Sequence, residues 1–248
     1  MSTDPQLGLI AVLLLAFVVE SAVGFGSALF VVALGAQLLP LATLLPVFQP
    51  LSLALSLTIV VRERRHLDTA FLLRRVLPAM IPGVVVGMIL YRVWRSDDRL
   101  LLLVGPAITT LAVVKLFDVV TDRPPTPLAP IVANVVLFFA GVLHGLFGVS
   151  GPPVVWVAAR TLVDKARFRA TLALLWLSLS AILVAGYVVD GSLAAPQLAQ
   201  AVMLVPPLVV GYVVGNALHH RVPQRAFGIG VCVMLIASGV ALTARAIG

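Results

Sequence analysis

The stretch HGLFGVSGPP, His144–Pro153, puts three glycines, a serine and two adjacent prolines into ten residues of otherwise apolar sequence. A weaker copy, ESAVGFGSAL, occupies Glu20–Leu29. In hydrocarbon, a helix break strands N–H and C=O groups at several kcal/mol each, so it persists only where protein buries it or where it lines a wet cavity. Glycine lets the backbone come close to a ligand, Ser150 offers a hydroxyl, and Pro152 and Pro153 suit the first turn of a new helix, where a missing N–H does no harm. The N-terminus of that helix would aim partial positive charge and free N–H groups at the break, and GFGSAL would do the same from the first copy. Two opposed helix N-termini near the midplane make an anion site.

The sequence around these breaks is that of a membrane protein. Of 248 residues, 61% are hydrophobic and only 11% charged, and the mean hydropathy is +1.13. No soluble domain with a polar surface reaches such values. Apolar runs near the 20 residues needed for a helical span recur between charged clusters and lack a period of two, which predicts a polytopic helical bundle and argues against a β-barrel. The net charge of +7 falls in short loops, as the positive-inside rule produces, and so does not point to nucleic acid. Cys232 is the single cysteine, which leaves no intrachain disulfide and no cysteine metal cluster. The opening MSTDPQLG carries an acid and no base, so a cleaved signal peptide is not expected.

The apolar segments 41–61, 70–91, 98–118, 170–189, 197–218 and 226–246 are long enough to cross, whereas 7–20, 26–39, 128–143 and 152–160 are short or broken. Placing Glu20 over His144, an offset of 124, aligns Gly24 with Gly148, Ser27 with Gly151 and Val31 with Val155. At an offset of 128, LPAMIPGVVVGMIL (77–90) lies over VPPLVVGYVVGNAL (205–218), matching Pro78 with Pro206, Gly83 with Gly211 and Gly87 with Gly215. The proline-rich TDRPPTPLAP, 121–130, falls near mid-chain. The expected organisation is a first membrane repeat over 1–120, a linker over 121–130 and a second repeat over 131–248.

RERRHLD (62–68) and RTLVDKARFR (160–169) are the most basic loops, and placing both in the cytoplasm gives the halves opposite orientations. Each half is then a broken short-helix hairpin followed by three transmembrane helices, an all-α inverted repeat. YRVWRSDDR (91–99) is placed outside despite three arginines against two aspartates.

Candidate substrate contacts are Gly24, Gly26, Ser27, Gly148, Ser150, Gly151 and Pro152, together with Gln49 in the PVFQP kink. Glu20 and His144 occupy equivalent positions, and ionisable groups at such depth are candidate proton carriers. Lys115 beside Asp118 is read as snorkelling, Asn134 and Asn216 as bonds between helices, Trp156 as a packing residue and Arg160 as a boundary charge. No HExxH, P-loop, CxxC or catalytic carboxylate pair is present, so no metal site, cofactor or enzyme activity is expected. Ser150 with His144 is the only nearby nucleophile–base pair.

GLFGVSGPPVV, its weaker partner GFGSALFVV, LLRRVLPAMIPGVVVG and the closing PPLVVGYVVGNALHHRVPQRAFGIGVCVMLIASGVAL resemble the sulfite exporter TauE/SafE family of anion permeases over nearly the whole chain. Phe25, Ser27 and Ala28 stand where the family's first motif carries more glycine. The resemblance implies secondary transport of sulfite, organosulfonates or related sulfur-containing anions across the bacterial inner membrane by a multi-pass protein. It also implies that the glycine–proline motif belongs to the translocation core. Such an oxyanion suits amides and hydroxyls better than a fixed buried arginine, which would hold it too tightly to release. The expected mechanism is alternating access, with Ser27, Ser150 and the amides of Gly26 and Gly151 holding the anion. The expected partners are the anion, the bilayer, a coupled proton and a second copy in a homodimer. The competing readings are an anion channel and a non-transporting assembly or partner subunit.

Overall fold

A computed structural model describes residues 5–94, 128–162 and 164–219, with scattered positions between 106 and 121 and between 225 and 244. Lys115, Asp118 and most of the linker lie outside the described residues. Ten α-helices can be followed through the continuous stretches: α1 Pro5–Val23, α2 Ser27–Phe30, α3 Leu41–Arg62, α4 Thr69–Phe71, α5 Leu77–Trp94, α6 Pro130–Phe147, α7 Gly151–Ala158, α8 Lys165–Val189, α9 Ala195–Met203 and α10 Val205–His219. π-Helical turns, Val31–Gly35 and Leu72–Val76, follow α2 and α4. Five stretches are long and apolar enough to cross a membrane, and α9 with α10 together meet the same criterion but are bent by 42° at the break between them. The protein is an all-α polytopic membrane protein.

The first arms of the two hairpins are longer than the apolar runs 7–20 and 128–143 suggested. α1 has 19 residues and α6 has 18, or about 28 Å at 1.5 Å per residue, close to the hydrocarbon thickness. Each helix continues past its ionisable residue, Glu20 or His144, because those side chains find buried partners. The return arms are short: α2 with its π-helical turn covers Ser27–Gly35, and α7 covers eight residues. The run 197–218 is likewise not one straight helix but breaks at Leu204, ahead of Pro206 and Pro207.

Small residues set the helix packing, as expected where lipid removes the hydrophobic drive between helices. A Cβ on Gly83 would strike the Phe138 carbonyl, and one on Gly87 the Val142 carbonyl, so α5 and α6 touch backbone to backbone. The same contact recurs between α10 and α1, where a Cβ on Gly211 would lie 3.1 Å from the Leu14 carbonyl and one on Gly215 would strike that of Val18. In both pairs the residue numbers rise together, so the paired helices run in the same direction. α3 packs on α8 between them. Side chains facing away from this core, such as Leu57, Val85, Ile89, Val209 and Val213, are exposed and apolar.

Ion pairs show which ends share a face. Arg167 meets Asp68 at 2.7 Å and the Asp68 amide donates to the Thr171 hydroxyl at 2.9 Å, bringing the two most basic loops together. At the other ends of α5 and α8, Arg92 lies 3.7 Å from Asp190. One arginine of the 91–99 stretch therefore has an acidic neighbour on the face where that stretch was placed.

Candidate functional site

Both breaks depend on glycine in the left-handed region. α1 ends at Gly24 (φ +90°), and Gly26 (φ +110°) redirects the chain into α2. α6 ends at Gly148 (φ +69°), and Ser150, at φ −148°, leads into α7 with its prolines in the first turn. The breaks touch, since a Cβ on Gly151 would lie 2.9 Å from Cδ2 of Phe25.

Between them is a cavity of about 30 Å³, room for a water-sized occupant. Glu20, Gly26 and Ser27 of the first break line it, as do His144, Gly148, Ser150 and Gly151 of the second. Ser27 Oγ donates to Glu20 Oε2. His144 Nδ1 and Ser150 Oγ are hydrogen-bonded at 3.0 Å. Glu20 and His144 are each only 3% exposed, and Glu20 Oε1 and His144 Nε2 have no hydrogen-bond partner among the described residues. Each break thus holds one ionisable side chain by one serine and leaves one of its polar atoms unsatisfied.

The helices of the opposite half complete the wall. Trp176 on α8 donates Nε1–H to the Gly24 carbonyl at 2.8 Å and stacks on the His144 ring, centroids 6.1 Å apart. Ser180 on α8 and Ser52 on α3 also line the cavity, so it presents four hydroxyls in all. Sequence reasoning did not single out Ser52, Trp176 or Ser180, although the offset of 124 that aligns the breaks also pairs Ser52 with Trp176 and Ser56 with Ser180.

Two of the described sequence candidates, Gly24 and Gln49, do not line the cavity. Gly24 stands behind it, turning its carbonyl to Trp176. Gln49 is buried with Nε2 against the position a Gly148 side chain would take, so it supports the second break from outside. Pro152 lies in the first turn of α7. Of the remaining polar residues, Asn216 accepts from Arg169 across two helices at 3.0 Å, whereas Asn134 faces outward in a shallow groove beside Arg74 and Arg75. Trp156 carries the Arg160 guanidinium 4.1 Å over its ring. Arg169, read from sequence as part of a basic loop, is instead 2% exposed inside the helical bundle.

The chain is thus a polytopic membrane bundle with polar side chains collected where two helix breaks meet. The model of the family "Sulfite exporter TauE/SafE" matches residues 9–242, and the chain belongs to that family. It is similar to the "Probable sulfite/organosulfonate exporter TauE" of Cupriavidus necator, 29% identical over 220 residues, covering 86% of this chain and 83% of that protein. It is also similar to the "Probable inner membrane transporter protein TsaS" of Comamonas testosteroni, 32% identical over 104 residues, covering 42% of this chain and 44% of that protein. No solved structure matches it. The protein is therefore a multi-pass transporter of the bacterial inner membrane and not an enzyme.

Proposed function

We propose that this chain is a secondary transporter for sulfite, organosulfonates or related sulfur-containing small anions. It works by alternating access of two inverted repeats, 1–120 and 131–248, around the cavity between the breaks. The observation that carries the reading is that two glycine breaks from opposite halves enclose one buried cavity walled by Ser27, Ser52, Ser150 and Ser180. Hydroxyls, amides and an imidazole can share out the charge of a pyramidal or tetrahedral oxyanion without the cost of a permanently buried cation. The repeat reading is supported by the contacts: Gly83 on Phe138 and Gly211 on Leu14 are equivalent at the offsets that align the sequence.

The face carrying 62–68 and 160–169 is the cytoplasmic one. An inside-negative potential then favours anion export by about 2.3 kcal/mol per charge per 100 mV. At its present volume the cavity admits a water-sized group, so loading an oxyanion requires the two tips to separate, as rocking of the halves would allow. Glu20 cannot stay ionised beside a bound anion without repulsion, which makes it the better candidate for a coupled proton, with His144 holding the anion.

The test is saturable flux of radiolabelled sulfite in proteoliposomes, with sulfate and methanesulfonate as competitors, for the wild type and Gly151→Leu. A leucine there drives into the Phe25 ring and closes the site, so flux is expected to disappear while the protein stays folded. Unchanged flux in the variant, or no flux of any of these anions in the wild type under a pH gradient or a potential, overturns the reading.

A further inference from the structure

Arg169 is a fully buried cation that the central cavity does not use. Its Nη1 lies 3.2 Å from Glu63 Oε1, its Nη2 donates to Asn216 Oδ1 at 3.0 Å, and its Nε has no partner among the described residues. Three helices meet at this guanidinium: α8 supplies Arg169, the C-cap of α3 supplies Glu63, and α10 supplies Asn216. The first break rests on it, for a Cβ on Gly24 would sit 3.2 Å from both Cα and Cγ of Arg169. Helix packing alone does not call for a cation here, since the repeat-equivalent position, 45, is a leucine.

A buried guanidinium without an anion is strongly destabilising, and here the compensating carboxylate is only half committed. The Glu63 side chain is 22% exposed, at the polar face, and its Oε2 has no partner. A planar guanidinium with its Nε–H unused matches a small oxyanion in charge and in geometry. Building on the transport reading above, we propose that Arg169 and Asn216 form a second anion site, for the same small sulfur oxyanion, between the basic face and the central cavity. In this structure the Glu63 carboxylate occupies that site.

An arriving anion replaces Glu63 on Arg169, so the guanidinium is never left uncompensated. When Glu63 swings back it competes the anion off, which removes the objection that a buried arginine holds its ligand too tightly. Because Gly24 lies on the same side chain, the exchange takes place directly beneath the first break.

The experiment measures sulfite binding to the full chain in detergent by calorimetry, alongside the melting temperature. Glu63→Gln frees Arg169 of its tethered competitor and is expected to tighten sulfite binding by about tenfold while slowing release. Glu63→Asp, a milder change that shortens the tether, is expected to give a smaller gain in the same direction. Adding Arg169→Gln to Glu63→Gln leaves a neutral trio with Asn216 that still packs, and is expected to abolish the gain without lowering the melting temperature. Binding within twofold of wild type in both Glu63 variants, or a gain that survives the loss of Arg169, overturns the proposal. Tightening through Arg169 in a protein that passes no anion would keep this site and sink the transport reading. Flux without tightening would do the reverse.

Discussion

The break at Gly24–Gly26 and the break at Gly148–Ser150 follow one backbone plan with different chemistry. Each places a left-handed glycine four residues after an ionisable side chain, and each bonds that side chain to a serine on the far side of the turn. Each is also braced by a helix from the other half, Gly24 by Trp176 and Gly148 by Gln49. The first break, however, needs a second left-handed glycine at Gly26, carries a carboxylate, lies on Arg169, and leads into four α-helical residues that pass into a π-helical turn. The second carries an imidazole and leads into a regular helix of eight residues. A carboxylate repels an anion unless it is protonated, whereas an imidazole and a helix N-terminus attract one. The transport reading proposed above accordingly assigns the second tip to holding the anion and the first to taking up the proton.

The largest effect that would break this comparison is at the backbone. Gly26→Val forces a β-branched residue to φ +110° and is expected to cost about 1–3 kcal/mol, with a fall of several degrees in melting temperature and loss of flux. Ser150→Ala, at the corresponding place in the second break, needs no such conformation and loses about 1 kcal/mol with its hydrogen bond. Equal thermal shifts for the two variants would show that the tips do not differ in strain.

An intermediate effect separates the two ionisable residues. For methanesulfonate, an anion that does not itself titrate, wild-type affinity is expected to improve as pH falls, because protonating Glu20 removes a negative charge from the cavity. Glu20→Gln is expected to flatten that profile, while His144→Gln keeps the slope and weakens affinity about tenfold, the loss of roughly 1.4 kcal/mol. Flux measured from pH 5 to pH 8 in both variants decides it, and the assignment of roles is reversed if His144→Gln is the flat one.

The smallest effect concerns the bracing helix. Trp176→Phe keeps a ring against His144 but deletes the donor to the Gly24 carbonyl, which is expected to cost about 1 kcal/mol and to slow flux severalfold without changing substrate preference. An altered preference among sulfite, sulfate and methanesulfonate would instead place the indole in direct contact with the anion.

Much of this was legible in the chain because glycine, proline and charge are punctuation marks in apolar sequence. Gly148 and Pro152 announced a break, and the recurrence of Gly24 at the same offset announced a second. The extent of the first arms was not legible: Glu20 and His144 look like the ends of apolar runs, yet α1 and α6 continue past them once Ser27 and Ser150 supply partners. Ser52 and Ser180 are single hydroxyls in long apolar helices and are indistinguishable in sequence from Ser178, which bonds its own helix at Leu174. Arg169 sits in a basic stretch that reads as a loop, and only the packing of α3 and α10 around it shows that it is buried.

By itself, the sequence determined that the chain crosses a membrane many times, that it is interrupted twice at glycine, and that its most basic loops share a side. These follow from residue-level free energies: transfer to hydrocarbon, the steric cost of positive φ, and the charge bias of insertion. Tertiary structure decided that the two breaks meet, that Trp176 and Gln49 each reach across to the opposite half, and that Glu63 pairs with Arg169. Contacts between residues so far apart in the chain depend on how whole helices pack, and no local preference in the sequence encodes them.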